Sequence, residues 1–235
     1  MKKIFILITS LAAGFTAANA QIVRIAPEIG INFSDLSTQY SDRSYDNSLK
    51  PGLKVGGVVD ISLSRYFSIQ PGLFYSSKGA EEDYVSYRST NNTTTRDETQ
   101  YRYRIDYLEM PMNFQVKFGH SRHGRYFVGA GPYLGYALGG RAKQTSGSVT
   151  AFNGGGVVSH DQSSGYALNI GDNPNTDDIT RWDAGVNFNV GYLFRGGTFI
   201  RANYGQGLVN VLPGGDDNNY VRNWGFGLSL GFMIP

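Results

Sequence analysis

The sequence contains no cysteine, which excludes a disulfide scaffold and any thiolate-held metal centre. Histidine is scarce, with three residues among 235, so there is little material for imidazole ligands or general bases. No stretch beyond the N-terminus reaches about 18 uninterrupted apolar residues, which excludes a helical membrane span there. The glycines follow no period of three, so collagen-like order is excluded as well. Net charge is also nearly missing, at 21 basic against 19 acidic residues. Lys2 and Lys3 account for the whole excess. The rest is formally neutral and offers no strongly basic surface for nucleic acid.

What the chain does hold is 31 Gly, 16 Tyr and 14 Phe in a protein that is polar on average. The start explains part of this. Lys2-Lys3 precede the apolar run Ile4–Phe15, which is too short for a stable anchor, and Ala18-Asn19-Ala20 offers a small-x-small exit. This is the pattern of a secretory signal peptide over residues 1–20, with cleavage expected before Gln21. Residues 21–235 then form a single expected domain.

That domain alternates with period two rather than 3.6. Val23, Ile25, Ile29, Ile31 and Phe33 share one parity against Arg24, Glu28 and Asn32. The same two-faced pattern recurs over Leu53–Leu63, Phe67–Lys78, Leu108–Phe118, Tyr126–Gly139, Trp182–Phe194, Phe199–Tyr204 and Asn223–Ile234. Eight strands are therefore predicted. A soluble sandwich also alternates, but its strands usually run about five or six residues, whereas a tilted membrane strand needs about 9–11. The polar parity is rich in Gly, Ser and Asn, which suits a narrow barrel interior. Connections alternate between short (Ser64-Arg65, 119–125, Gly196-Gly197) and long (35–49, 79–100, 142–180, 206–221), as in outer-membrane barrels. Tyr66, Phe67, Phe118, Tyr126, Tyr192, Phe194 and Phe232 form one expected aromatic belt. Tyr75, Tyr107, Tyr136, Trp182, Tyr204 and Trp224 form the other. The expected fold is all-β: a single eight-stranded antiparallel transmembrane β-barrel with short periplasmic turns and long extracellular loops. Pro27, Pro71, Pro111 and Pro132 fall inside strands, where each calls for a bulge or an off-ladder position. A parity break between Tyr107 and Leu108 suggests one such bulge.

Several blocks carry a family resemblance. They are Ile29–Ser34, Lys50–Gly57, Phe67–Ala80, Asp106–Pro111 and Gly129–Gly135. Together they resemble the PorT-like outer-membrane β-barrel family, over nearly the whole mature chain. The resemblance implies an eight-stranded barrel and, for a subset of the family, a role in secretion across the outer membrane. It implies no catalytic motif.

Eight strands leave an interior just wide enough for side chains. The inward set is expected to contain Arg24, Lys54, Lys78, Lys117, Arg141 and Arg201, with Glu28, Asp60, Glu109 and Asp183. Mixed charges at low dielectric should pair, because an isolated buried charge is costly. The expected reading is a structural ion-pair network, and the sharper alternative is a gated conduit whose pairs exchange partners. The four long loops hold fourteen of the nineteen acids and only Arg43, Arg88, Arg96 and Lys143 as bases. Such loops could meet a basic partner or a divalent cation, or be simply solvated. Asp172–Asp178 and Asp216-Asp217 are oxygen-rich but lack the EF-hand spacing. His120 and His123 sit in a short turn, and His160 lies beside Asp161, Ser163 and Ser164 without a rigid shell. Neither catalysis nor a cofactor is expected. The expected partners are outer-membrane lipid and a surface or secretion-machinery protein, for a monomeric barrel in the outer membrane of a Gram-negative bacterium.

Overall fold

The computed structural model describes residues 22–40, 43–45, 48–90, 93–119, 124–152 and 155–234. The signal segment lies outside the described residues, as do His120 and His123. Among the described residues ten strands follow one another: β1 (Ile22–Tyr40), β2 (Arg43–Tyr45), β3 (Ser48–Ser62), β4 (Phe67–Thr90), β5 (Thr93–Phe118), β6 (Gly124–Phe152), β7 (Val157–Ala167), β8 (Trp182–Phe194), β9 (Thr198–Gly207) and β10 (Asn219–Phe232). Each pairs antiparallel with its neighbour in the order β1-β3-β4-β5-β6-β8-β9-β10, and β10 returns to β1 with Glu28 opposite Gly231. Among the described residues this closes an eight-stranded barrel. β2 and β7 are additions that lie on β1 and β6 above it. Closure satisfies the strand backbone without water, the condition for crossing a bilayer with a sheet.

Alternation sorts the side chains. On β5, Phe114, Val116 and Phe118 stand outward while Asn113, Gln115 and Lys117 are buried within the ring. Outward apolar residues run from Phe118 to Leu108 on this strand, matching the about 9–11 residues of a tilted membrane strand. At the short-turn end Tyr126 packs edge-on against Tyr192, which packs against Phe194; at the other end Tyr136 meets Trp182. The chain reverses tightly near the first belt at Leu63–Phe67 and at Phe194–Gly197. Gly197 takes φ 90°, a left-handed conformation that costs glycine nothing.

The expected bulge is on the neighbouring strand. β5 keeps its parity through Tyr107 and Leu108: Ile105, Tyr107 and Glu109 all point inward. The register instead shifts because Asp106 faces Gly139 while Tyr107 faces Ala137, leaving Leu138 of β6 as the extra residue. Tyr107 is thus fully buried in the lumen, not part of an outer belt. Nor do the four prolines need bulges. At each one the pairing on one side lapses and resumes in the same register: Ile25–Ile234 to Glu28–Gly231 at Pro27, Ile61–Ile69 to Val58–Gly72 at Pro71, Pro71–Met112 to Phe74–Glu109 at Pro111, and Pro111–Tyr133 to Phe114–Ala130 at Pro132. A missing N–H removes one rung without displacing the strand.

Two of the expected loops are largely strand. β4 and β5 stay paired out to Thr90–Thr93, and β6 and β7 to Ala151–Val157. A four-stranded sheet, β4-β5-β6-β7, therefore projects from one side of the ring. Parts of the connections before β8 and before β10 turn inward. Leu168, Ile179 and Val211 pack with Leu36, Ala80, Ile105, Tyr107, Ala137, Ala142 and Val221 into an apolar plug. Backbone bonds tie it down, from Thr180 N to Val211 O (2.9 Å) and from Val211 N to Val221 O (2.8 Å).

Candidate functional site

The lumen is built from inward positions of all eight ring strands. Near the short-turn end Lys117 of β5 donates to both oxygens of Asp60 of β3, each at 2.7 Å, and Gln70 of β4 donates to the same carboxylate at 2.8 Å. Gln70 accepts from Arg201 of β9 at 2.8 Å, whose other nitrogen donates to Glu28 of β1 at 2.8 Å. Ser229 of β10 donates to the second Glu28 oxygen at 2.6 Å. One hydrogen-bonded chain thus crosses six strand positions. The Arg201 guanidinium also lies 5.1 Å from the Phe199 ring centroid and 5.5 Å from that of Phe127, a cation–π contact inside the barrel.

A second cluster lies toward the long loops. Lys78 pairs with Glu109 and stands 3.6 Å from Asp183. Asp183 accepts from Tyr133 (3.2 Å) and Asn223 (3.1 Å), and Asn223 also donates to Tyr107 at 3.2 Å. Between the two clusters is a cavity of about 60 Å³ lined by Lys54, Asn32, Asn113, Asn189 and Asn203 among others. That is room for about two waters. Lys54 forms no ion pair among the described residues and rests its ammonium 4.6 Å from the Phe74 ring centroid. Arg24 shares the inward parity at the short-turn mouth opposite Asp60, half-buried and without an ion pair among the described residues. Arg141 is the exception. The extra residue at Leu138 reverses the parity of β6 above it, so Ala142 points inward and Arg141 is exposed.

Among the described residues, the apolar plug fills the ring toward the long loops and the charged chain fills it toward the short turns. Sequence reasoning missed the plug because Leu36, Ala80, Leu168, Ile179 and Val211 fall in segments assigned to long loops; Ile105 and Tyr107, four and two positions before Glu109, share its parity and are the signal that was there to read.

Outside the ring the groups considered for chemistry are dispersed. His160 lies on β7 and is exposed; neighbours on a strand face opposite ways, so Asp161 and Ser163 are on the other side of the sheet. Asp177 and Asp178 accept from the backbone N–H groups of Asn173 (2.9 Å) and Asn169 (2.8 Å), and Asp216 from those of Asn218 and Asn219. These carboxylates close their own turns. Just above the apolar band, Arg104 donates to Asp106 and to the Tyr75 hydroxyl, each at 3.0 Å. Partial burial opposes ionisation of Asp106, but hydrogen bonds from Arg104, Tyr75 and Ser77 outweigh it and hold its carboxyl below the ordinary range. Tyr103, one step further out, is pushed up to about 12 by burial and then by Glu82.

Residues 19–212 match the family model described as the outer membrane protein beta-barrel domain. The chain belongs to that family. It is an outer-membrane β-barrel, and its apolar outer band contacts lipid. A search of curated proteins finds no match. Among solved structures, the attachment invasion locus protein Ail of Yersinia pestis is 12% identical, with 89% of this chain and 98% of Ail covered and a TM-score of 0.33. An outer-membrane channel of Pseudomonas putida F1 is 9% identical, at 90% and 95% coverage and a TM-score of 0.27. The translocator domain of the autotransporter NalP of Neisseria meningitidis is 10% identical, at 95% and 92% coverage and a TM-score of 0.25.

Proposed function

We propose that this barrel is a non-enzymatic scaffold that holds a stiff sheet above the outer membrane for a protein partner. The observation that carries the reading is β7. All of its residues are exposed, and among the described residues it pairs with β6 alone. Its free edge offers a row of backbone N–H and C=O groups to another strand. Proteins usually blunt such edges with lysine, proline or a bulge, and Val157–Ala167 contains neither residue and pairs with β6 in continuous register. An extended segment of a partner can add to it, the backbone giving affinity and alternate side chains giving choice. The ion-paired lumen supports the same reading, since in it the charges hold the ring rigid rather than conduct.

The test is a pull-down from cross-linked outer membranes with the wild-type barrel and with S159P/S163P, which removes two backbone donors from β7. A protein recovered by the wild type and lost from the variant is expected, with heat-dependent gel mobility of the barrel unchanged. Recovery of the same protein by both would overturn the edge as the binding surface. Secretion across the outer membrane, the role implied by the PorT-like resemblance, makes a different demand: deletion of the gene would then block export of surface proteins.

A further inference from the structure

The register of β5 and β6 sets like charges side by side. Arg104 faces Arg141, and Arg102 faces Lys143. All four are exposed on the side of the sheet that continues the lipid-facing surface. Residues directly opposite on one face bring their Cβ atoms within about 4.5–5.5 Å, and like charges there are destabilising. A structure that keeps two such pairs in succession has a compensating anion to meet. The acids on this face cover only half of the need: Asp106 holds Arg104 at 3.0 Å and Glu81 holds Arg102 at 2.7 Å. Arg141 and Lys143 form no ion pair among the described residues.

We infer that these four cations bind the phosphorylated headgroup of an outer-leaflet lipid. Height selects the membrane over the aqueous phase as the source of the phosphate. On β5 the outward series passes from Met110 and Leu108, on the apolar band, through Asp106 to Arg104. On β6 it passes from Leu134 through Tyr136 and the exposed Leu138 to Arg141. The guanidinium groups therefore stand at the level where acyl chains give way to headgroups, with the hydroxyl of Tyr75 bonded to Arg104 at the same level. The β7 partners of Arg141 and Lys143 are Ala167 and Gly165, which leave space beside the two unpaired cations. Guanidinium forks match phosphate oxygens two at a time, and near a membrane surface each such charge contributes to attraction. The bulge at Leu138 makes the site, because without the extra residue Arg141 would point into the plug.

The experiment uses the mature barrel in detergent, titrated with lipid A, with lipid A stripped of its phosphates, and with inorganic phosphate. Binding of intact lipid A is expected, weakening at least about tenfold in R141Q/K143Q and with added salt. R65Q/R125Q, on the opposite rim, is expected to bind like the wild type. Heat-dependent gel mobility of each variant checks that the ring has formed. Equal affinity of wild type and R141Q/K143Q would overturn the inference. So would equal affinity for the dephosphorylated lipid, which would assign binding to acyl chains. Inorganic phosphate binding as tightly as lipid A would overturn the choice of a membrane-held ligand.

Discussion

The ring and the projecting sheet are made of the same strands. β4, β5 and β6 leave the barrel and stay paired beyond the one-residue bulge at Leu138, yet the two regions obey different rules. In the ring one face meets lipid and the other meets a closed lumen, so each side chain has one permitted character. Above it both faces are wet, and the sheet is held by its backbone ladder and by modest contacts. These include Thr95 with Thr150 at 3.0 Å, and Tyr84 edge-on to Tyr101 at 5.9 Å between centroids. The difference teaches that in this protein the ladder gives length while burial gives specificity.

The sharpest way to test that contrast is to strand a charge in the ring. Glu28→Ala leaves Arg201 buried without its carboxylate, and a loss of about 3–5 kcal/mol is expected in denaturant unfolding. Next in size is the plug, where Ile105→Ala should cost about 2–4 kcal/mol. Exposed substitutions in the projecting sheet, such as Thr145→Ala or Val149→Thr, should stay within about 0.5 kcal/mol by the same measurement. If they matched the ring variants, the division would fail. The smallest effect concerns the boundary itself. The carboxyl of Asp106 is held below its ordinary value of 3.8. Its contribution is therefore present above that pH and is lost as the pH falls through its lower folded value. Thermal scans of wild type and D106N should differ slightly at pH 6 and converge in strong acid.

This division also explains what could be read from the chain. Strands such as Trp182–Phe194 announce themselves because lipid enforces every second residue. The stretches around Thr93–Thr99 and Lys143–Thr150 carry Thr, Ser and charges on both parities, so no hydrophobic period marks them as strands. The inward parity of Glu28, Asp60, Glu109, Lys117, Asp183 and Arg201 was legible for the same reason as the strands. Arg141 was not, since one unpaired residue upstream reverses its side without leaving any mark in composition. Tyr107 was misplaced because an aromatic near the rim suits a belt and a plug equally well. Of the two accommodations that the prolines called for, a bulge or an off-ladder position, the structure takes the second, the ladder skipping a rung at each.

Leu138 works as a phase shifter. Everything on β6 below it keeps time with the ring, and everything above it runs half a beat out. A second insertion beside it would restore the original phase, turning Ala142 toward the lipid headgroups and Arg141 toward the hydrocarbon of the plug. A single residue's presence thus decides whether the upper half of β6 belongs to the inside or the outside. Length changes at this point should be tolerated only in pairs.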